Sequence, residues 1–481
     1  MEESKHLEIK KEHEIRFDDN KIRIEMNNNE IIYSLIIDIS FNKYIKRFNH
    51  DVFRKEFELE EVDIKEIWDE IINYIYEINT KEKKIIVNDK KEIKLDEEKI
   101  LTNEEMIKEL ISEIKNMKKE KNELERQVYE LDNIVNKDKY RNEINLIYNT
   151  EKEEECIIFG DKFVKNNINN IELNINGDKS KLVGKHKLKK GDNNIKMIIK
   201  NKIKDLQYMF YNCENLKNIE ELQYLNTKYC TNFSYMFSGC SSLNDIKPLE
   251  NWDVSNGTNF SSMFFDFKFL KDIKPLKNWN VSKGTDFSFM FCSCKSLNDI
   301  NALEKWNVSN GKNFSCMFSW CKSLKDISSL EKWNVSNGTN FSCMFGWCEL
   351  LNNIKPLVNW NVSNGINFSS MFRYCEIKDI KSLENWNVSN GVNFEGIFFN
   401  CLSLNDIKPL ENWNVSNGTN FSNIFFCCKS LNDIKPLEKW NVSNGTIFTE
   451  MFYGCDSLND IKPLEKWNLN EKDFKGMFNK N

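Results

Sequence analysis

Acidic side chains recur through the second half of this chain at a fixed interval. Asp245, Asp272, Asp299 and Asp326 stand 27 residues apart, with Lys247 and Lys274 two residues beyond the first two. A column of carboxylates beside ammonium groups could do acid–base work. Catalytic groups, however, are single and asymmetric, so a group repeated in most units is expected to be a solvated charge ladder. Nine cysteines also share one repeat position: Cys213, Cys240, Cys294, Cys321, Cys348, Cys375, Cys401, Cys428 and Cys455. They could form a disulfide ladder or a string of metal sites. Zinc would need CxxC pairs or histidine partners, and His6, His13, His50 and His186 all lie outside the repeats. Small, buried, reduced thiols are the expectation. The chain has no GxGxxG after a strand, no P-loop and no GxSxG. A non-enzymatic protein with no metal and no other cofactor is therefore expected.

The positions that vary between units are better candidates for function. Just after each Met-Phe or Ile-Phe pair stand Phe265, Trp320, Trp347, Tyr374, Phe399, Phe426 and Tyr453, with Trp320, Trp347 and Tyr374 in register in three consecutive units. Exposed aromatics on a rigid scaffold are anchors for protein partners. Trp320, Trp347, Tyr374, Phe399, Phe426 and Tyr453 are thus the candidate partner-binding residues.

What positions them is a tandem repeat. Trp252, Trp279, Trp306, Trp333, Trp360, Trp386, Trp413, Trp440 and Trp467 are spaced by 27 residues, save one interval of 26 between Trp360 and Trp386. Such a period marks stacked units that bury their apolar faces against one another. In one unit, Phe260, Met263, Phe264, Phe267 and Leu270 fall on one face of a short helix over 260–270. The brief alternation at Trp279–Asn280–Val281 places a parallel strand near 276–281. Asn256-Gly257 predicts a turn in which glycine takes positive φ. Pro275, like the other five prolines, suits a strand entry. The asparagines of the WNVSNG turns, such as Asn280, Asn307 and Asn334, are expected to hydrogen-bond along the stack and to the turn backbone rather than to carry glycans. Ladders of Trp on Trp and Phe on Phe are expected to form the core.

The string WNVSNGTNFSxMFxxCxSL resembles the BspA-like leucine-rich repeats of bacterial and protist surface proteins over roughly residues 204–481. The resemblance implies a curved α/β solenoid, and adhesion or protein binding without enzymatic activity. The expected fold is thus an α/β solenoid of leucine-rich-repeat-like 27-residue units over 204–481. A small α+β head (1–100), a coiled-coil helix (101–138) and a β-rich cap (141–203) precede it. In the head, strands are predicted at 7–17, 21–26, 31–39, 84–87 and 92–95, with a helix over 64–78. In the cap, strands are predicted at 145–148, 156–159, 171–175 and 195–199.

Between head and cap, apolar residues alternate by three and four over 107–135. Ile107, Ile114 and Val128 take a positions; Leu110, Met117, Leu124 and Leu131 take d positions. β-branched a residues with Leu at d favour a parallel dimer, and the single Lys121 at a selects against higher oligomers. These residues are the predicted homodimer contact. The net charge of −6 with 30% charged residues leaves no basic field for nucleic acid. No segment approaches 18 apolar residues, so no membrane insertion is expected. The first 17 residues lack an apolar core of the secretory type. A cytoplasmic location is expected from the residues, and a cell-surface one from the resemblance.

Overall fold

The computed structural model describes residues 12–17, 20–25, 75–79, 84–87 and 91–94, scattered positions from 116 to 139, and all of 140–478. The chain forms two compact units, 1–128 and 129–481.

In the first unit, β1 (Glu12–Phe17) and β2 (Asn20–Glu25) form an antiparallel hairpin with Glu12 opposite Glu25. β3 (Ile75–Asn79), β4 (Lys84–Val87) and β5 (Lys91–Lys94) make a three-stranded antiparallel sheet. The C-terminal end of the helix predicted over 64–78 is strand instead, since Ile75–Asn79 is β3; the rest of that prediction lies outside the described residues. β-branched isoleucines favour a pleated surface as readily as one helical face. The strand predicted at 31–39 lies outside the described residues.

Of the predicted dimer residues, Leu124, Val128 and Leu131 are helical. Each is more than half exposed, and Val135, one helical turn beyond Leu131, is 79% exposed. Arg126 and Glu123 pair at 2.6 Å on this helix. Ile107, Leu110, Ile114 and Met117 lie outside the described residues.

The second unit begins with a β module. β6 (Glu143–Thr150), β8 (Ile171–Ile175), β9 (Asp178–Lys181) and β11 (Gly191–Ile199) join β12 (Leu216–Asn218) in an antiparallel sheet of order β12-β6-β11-β8-β9. β7 (Glu154–Ile157) pairs with β10 (Lys185–Leu188), and a short helix α1 (Asp161–Asn167) lies between β7 and β8. β12 comes from the first repeat, so the sheet runs directly onto the stack. Gly160 N–H donates to Met209 O at 3.1 Å, and the Phe159 and Phe210 rings lie 5.8 Å apart. One hydrophobic core runs unbroken from Ile144 to Met477.

The repeats differ in detail from the expected helix and strand. No helix forms over 260–270; the segment is a run of turns. Ser262 and Asp266 both adopt left-handed φ, of 54° and 56°. This frees the N–H groups of Phe260, Ser262, Phe264 and Asp266 to donate to Asp286, Ser288, Met290 and Cys292 in the next unit. A helix would consume those donors within its own unit, whereas the turns spend them between units.

Parallel pairing also falls elsewhere than predicted. A file of bridges runs Asp205, Asn232, Asn259, Asp286, Asn313, Asn340, Asn367, Asn393, Asn420 and Ile447, just ahead of each Phe. The stretch from 276 to 281 instead ends a 3-10 turn, Lys274–Leu276, with Pro275 in its first positions. There proline's missing N–H is not needed. The acidic column caps these turns: Asp272 Oδ1 accepts from Lys274 N–H at 3.1 Å, and Asp326 Oδ1 from Ser328 N–H at 2.9 Å.

Gly257 and its equivalents take ordinary φ, contrary to the turn reading. They are glycine because a Cβ at Gly338 would lie 2.3 Å from Cζ of Phe341. The tip of that phenylalanine ring points at its own unit's turn. Asn280, Asn307 and Asn334 bond the backbone of their own turn, as Asn307 Oδ1 accepts from Ser309 N–H; the bond along the stack comes instead from Asn310, whose Nδ2 donates to Ser282 O one unit back.

The core is a set of ladders. Trp279 and Trp306 stack with centroids 6.5 Å apart and planes 3° apart, while each indole N–H donates to a leucine carbonyl in the preceding unit, as Trp333 does to Leu303 at 2.9 Å. Phe314 and Phe341 stack at 5.7 Å. The cysteine position is an inward ladder of free thiols; those after Cys213 each donate to a phenylalanine carbonyl one unit back, as Cys348 does to Phe318 at 3.1 Å. A thiol is small enough to be buried there and still donate to that carbonyl, although Phe267 fills the same position in one unit. The 26-residue interval is absorbed in the loop at 375–380: Trp360 and Trp386 still stack at 6.5 Å. At the far end, α2 (Glu471–Gly476) closes the last unit, with Phe452 N–H donating to Met477 O and Phe478 stacked on Phe452 at 5.7 Å.

Candidate functional site

The site residues stand on the turn that follows each Met-Phe or Ile-Phe pair. There the backbone bends outward through its second left-handed residue, and two successive side chains project beside the core. Trp320, Trp347 and Tyr374 are themselves that left-handed residue, with φ of 62°, 60° and 59°. Other units place Asn212, Gly239, Asp266, Ser293, Asn400 or Gly454 there. A bulky aromatic in this conformation costs on the order of 1–2 kcal/mol relative to glycine. The fold therefore does not ask for aromatics at this position.

Phe399, Phe426 and Tyr453 occupy the preceding position, one residue nearer the core. The structure nevertheless brings all six rings into one file. Trp320 stacks on Trp347 at 4.9 Å and Trp347 on Tyr374 at 5.7 Å. Tyr374 meets Phe399 at 5.5 Å with a 39° tilt, Phe399 stacks on Phe426 at 4.3 Å, and Phe426 on Tyr453 at 5.1 Å. Phe265 is not in this file; its ring neighbour is Phe289, at 6.5 Å. Trp320 is exposed and the other five are half-buried. With their faces stacked on one another, the rings turn their edges outward. The indole N–H groups of Trp320 and Trp347 donate to no described residue, unlike those of the core ladder.

Sequence reasoning missed Arg373, the one arginine of the repeats. Its guanidinium lies 3.7 Å from the Phe399 ring centroid, 5.0 Å from Trp347 and 5.5 Å from Tyr374. Its Nε is buried without a hydrogen-bond partner, and no described carboxylate pairs with it. The signal available was its rarity: every other cation among the repeats is lysine. A guanidinium over aromatic faces is attracted by their π electrons, which fixes Arg373 against this file.

Beside this file, Cys316 and Cys343 stand at the first left-handed position of consecutive units, both half-buried. The ladder thiols are different. Burial pushes Cys401 and Cys455 up to about 12.

On another face, an open groove of about 790 Å³ is lined by Asp245, Phe269, Lys271 and Asp272, with Phe269 59% exposed. Asp245 and Asp272 are already committed there as turn caps. Among the described residues no group of three or more His, Cys, Asp or Glu side chains is placed to hold a metal ion. No helix among them is long and apolar enough to cross a membrane.

Four overlapping segments, 180–302, 266–382, 299–406 and 367–481, match the family described as Mycoplasma protein of unknown function, DUF285. No curated protein and no solved structure matches the chain.

Proposed function

The chain belongs to the DUF285 family of tandem-repeat proteins, and we propose that it is a non-enzymatic interaction scaffold. In this reading the stacked units form a leucine-rich-repeat-like solenoid of the BspA type, and the aromatic file is where a protein partner docks. The observation that carries it is the six-ring file from Trp320 to Tyr453, three of whose rings, Trp320, Trp347 and Tyr374, stand where other units carry small or polar residues. A contiguous apolar strip of that length marks an interface. Its stacked rings are already ordered, so binding costs them little further entropy. The heptad segment 107–135 dimerises the chain; the exposed apolar residues Leu124, Val128, Leu131 and Val135 support this. A cytoplasmic location goes with this reading, and a place at the cell surface as an adhesin is the alternative that the repeat resemblance favours. Affinity capture with the full chain and with Trp347→Ser, followed by mass spectrometry, tests the docking site. Partners retained by the first and lost by an equally folded second support it; partners retained equally by both refute it. Protease treatment of intact cells separates the two locations.

A further inference from the structure

The cysteines of this protein fall into two structural classes. The ladder thiols point inward and donate to carbonyls, and their position is filled by cysteine in nearly every unit. Cys316 and Cys343 occupy a position where other units carry Tyr235, Ser262, Phe289, Ser370, Gly396, Asn423 or Glu450. The fold makes no demand for cysteine there, yet two consecutive units supply it.

Their geometry places the two thiols side by side. Cys316 N–H donates to Ser342 O at 2.8 Å, and Cys343 N–H to Ser369 O at 2.7 Å, so the two residues sit in register on adjacent units with the same φ of 54°. Paired parallel strands lie about 4.8 Å apart, within the roughly 4.4–6.8 Å Cα separation a disulfide spans. The two thiols are therefore immediate neighbours, one on each of two adjacent units. Ser370 and the guanidinium of Arg373 lie on the Cys343 side, while Cys292 is buried behind.

We propose that Cys316 and Cys343 form a dithiol modification site, in which Cys343 attacks a low-molecular-weight disulfide and Cys316 resolves the adduct. In the first step the Cys343 sulfur bonds to one sulfur of the reagent, RS–SR, and the S–S bond breaks to release RS⁻. In the second, the Cys316 sulfur attacks Cys343, closing a disulfide between adjacent units and releasing the second RS⁻. Two protein thiols are oxidised, one disulfide is reduced to two thiols, and the two protons pass to the leaving thiolates. The thiolate is the nucleophile in such exchange. The neighbouring Cys316 thiol lowers the pKa of Cys343 most; burial opposes this, the Ser370 hydroxyl and the Arg373 charge add to the lowering, and the Glu395 charge works against it. Cys316 pairs with Ser342 while Cys343 pairs with Ser369, so Cys316 lies one unit farther from Arg373 and is the resolving partner. This division suits an attacking thiol and a resolving one.

The test is native-state labelling of the full chain with iodoacetamide, read by peptide mass spectrometry, with half-buried Cys427 as comparator. Cys343 is expected to react on the order of tenfold faster than Cys427. Oxidised glutathione should then convert the wild-type chain to a species lacking two hydrogens and carrying no glutathione. Cys316→Ser should stop at a glutathione adduct on Cys343. That variant is expected to fold, since Ser262 and Ser370 fill the same position. A Cys343 that labels no faster than Cys427, or a wild-type chain that keeps its glutathione, overturns the assignment.

Discussion

Tyr374 and Phe399 occupy different positions of the repeat, yet their ring centroids lie 5.5 Å apart. The two halves of the aromatic file join there, just where the 26-residue unit intervenes. Arg373 sits at the junction, against both rings.

The first prediction concerns this file. Trp347→Ser relieves a bulky left-handed residue and removes two ring contacts, so its net effect on stability is expected within about 1 kcal/mol. Its effect on partner capture is expected to be a near-complete loss. Circular dichroism and a denaturant midpoint beside the capture assay check both; loss of the fold would make Trp347 a core residue instead.

Core and cap separate in magnitude. Trp333→Ala removes a buried indole and its hydrogen bond to Leu303, and should cost about 3–5 kcal/mol. Asp326→Ala removes one turn cap and should cost about 1 kcal/mol. Equal shifts in the denaturation midpoint would contradict the ladder as the main source of stability.

Ser329→Pro should stabilise. Ser329 stands where other units carry proline, as Pro275 and Pro356 do, and its buried hydroxyl has no partner. Removing that hydroxyl and restricting the unfolded chain should together raise stability by about 1 kcal/mol. Ser382→Pro should do the same, for the same reason. Thermal unfolding of both variants checks this, and a lowered midpoint in each would count against it.

Alkali should weaken the protein through its thiol ladder. The folded-state values of Cys401 and Cys455 are raised to about 12 by burial, while an unfolded thiol titrates at about 8.5. Below the unfolded value both states hold the proton and the ladder's contribution is complete. Above it the unfolded state releases protons first, so stability falls as pH rises from about 9 toward 12. Denaturant midpoints at pH 8 and pH 10.5 should show the decline, and Cys401→Ala should reduce its slope.

The full chain should sediment as a dimer, and Leu124→Asp with Leu131→Asp should make it a monomer. A wild-type monomer at tens of micromolar would remove the proposed helix pairing.

The period, the ladders and the inward cysteines were legible in the sequence because each recurs at one spacing. The local conformation was not. Phe260, Met263, Phe264 and Phe267 show helical spacing, but Ser262 and Asp266 turn left-handed because intercoil hydrogen bonds replace those of a helix, and no residue-type preference announces that. The role of Gly257 was misread for a related reason: Phe260 packs on it, and a contact between residues three apart cannot be told from turn chemistry by composition. The aromatic residues were legible individually. Their continuity was not, since a one-position offset between Tyr374 and Phe399 looks like a break in a string of letters and is bridged only by ring tilt.

Both ends of the stack are closed by the chain itself, by β6 and β12 at one end and by α2 at the other. Every unit between them presents the same pair of surfaces to its neighbours. Length is therefore separable from stability of the ends. Excision of one 27-residue unit should bring two compatible faces together and leave a shorter, folded protein, and duplication should lengthen it. A stack of this kind is thus extendable by gene rearrangement.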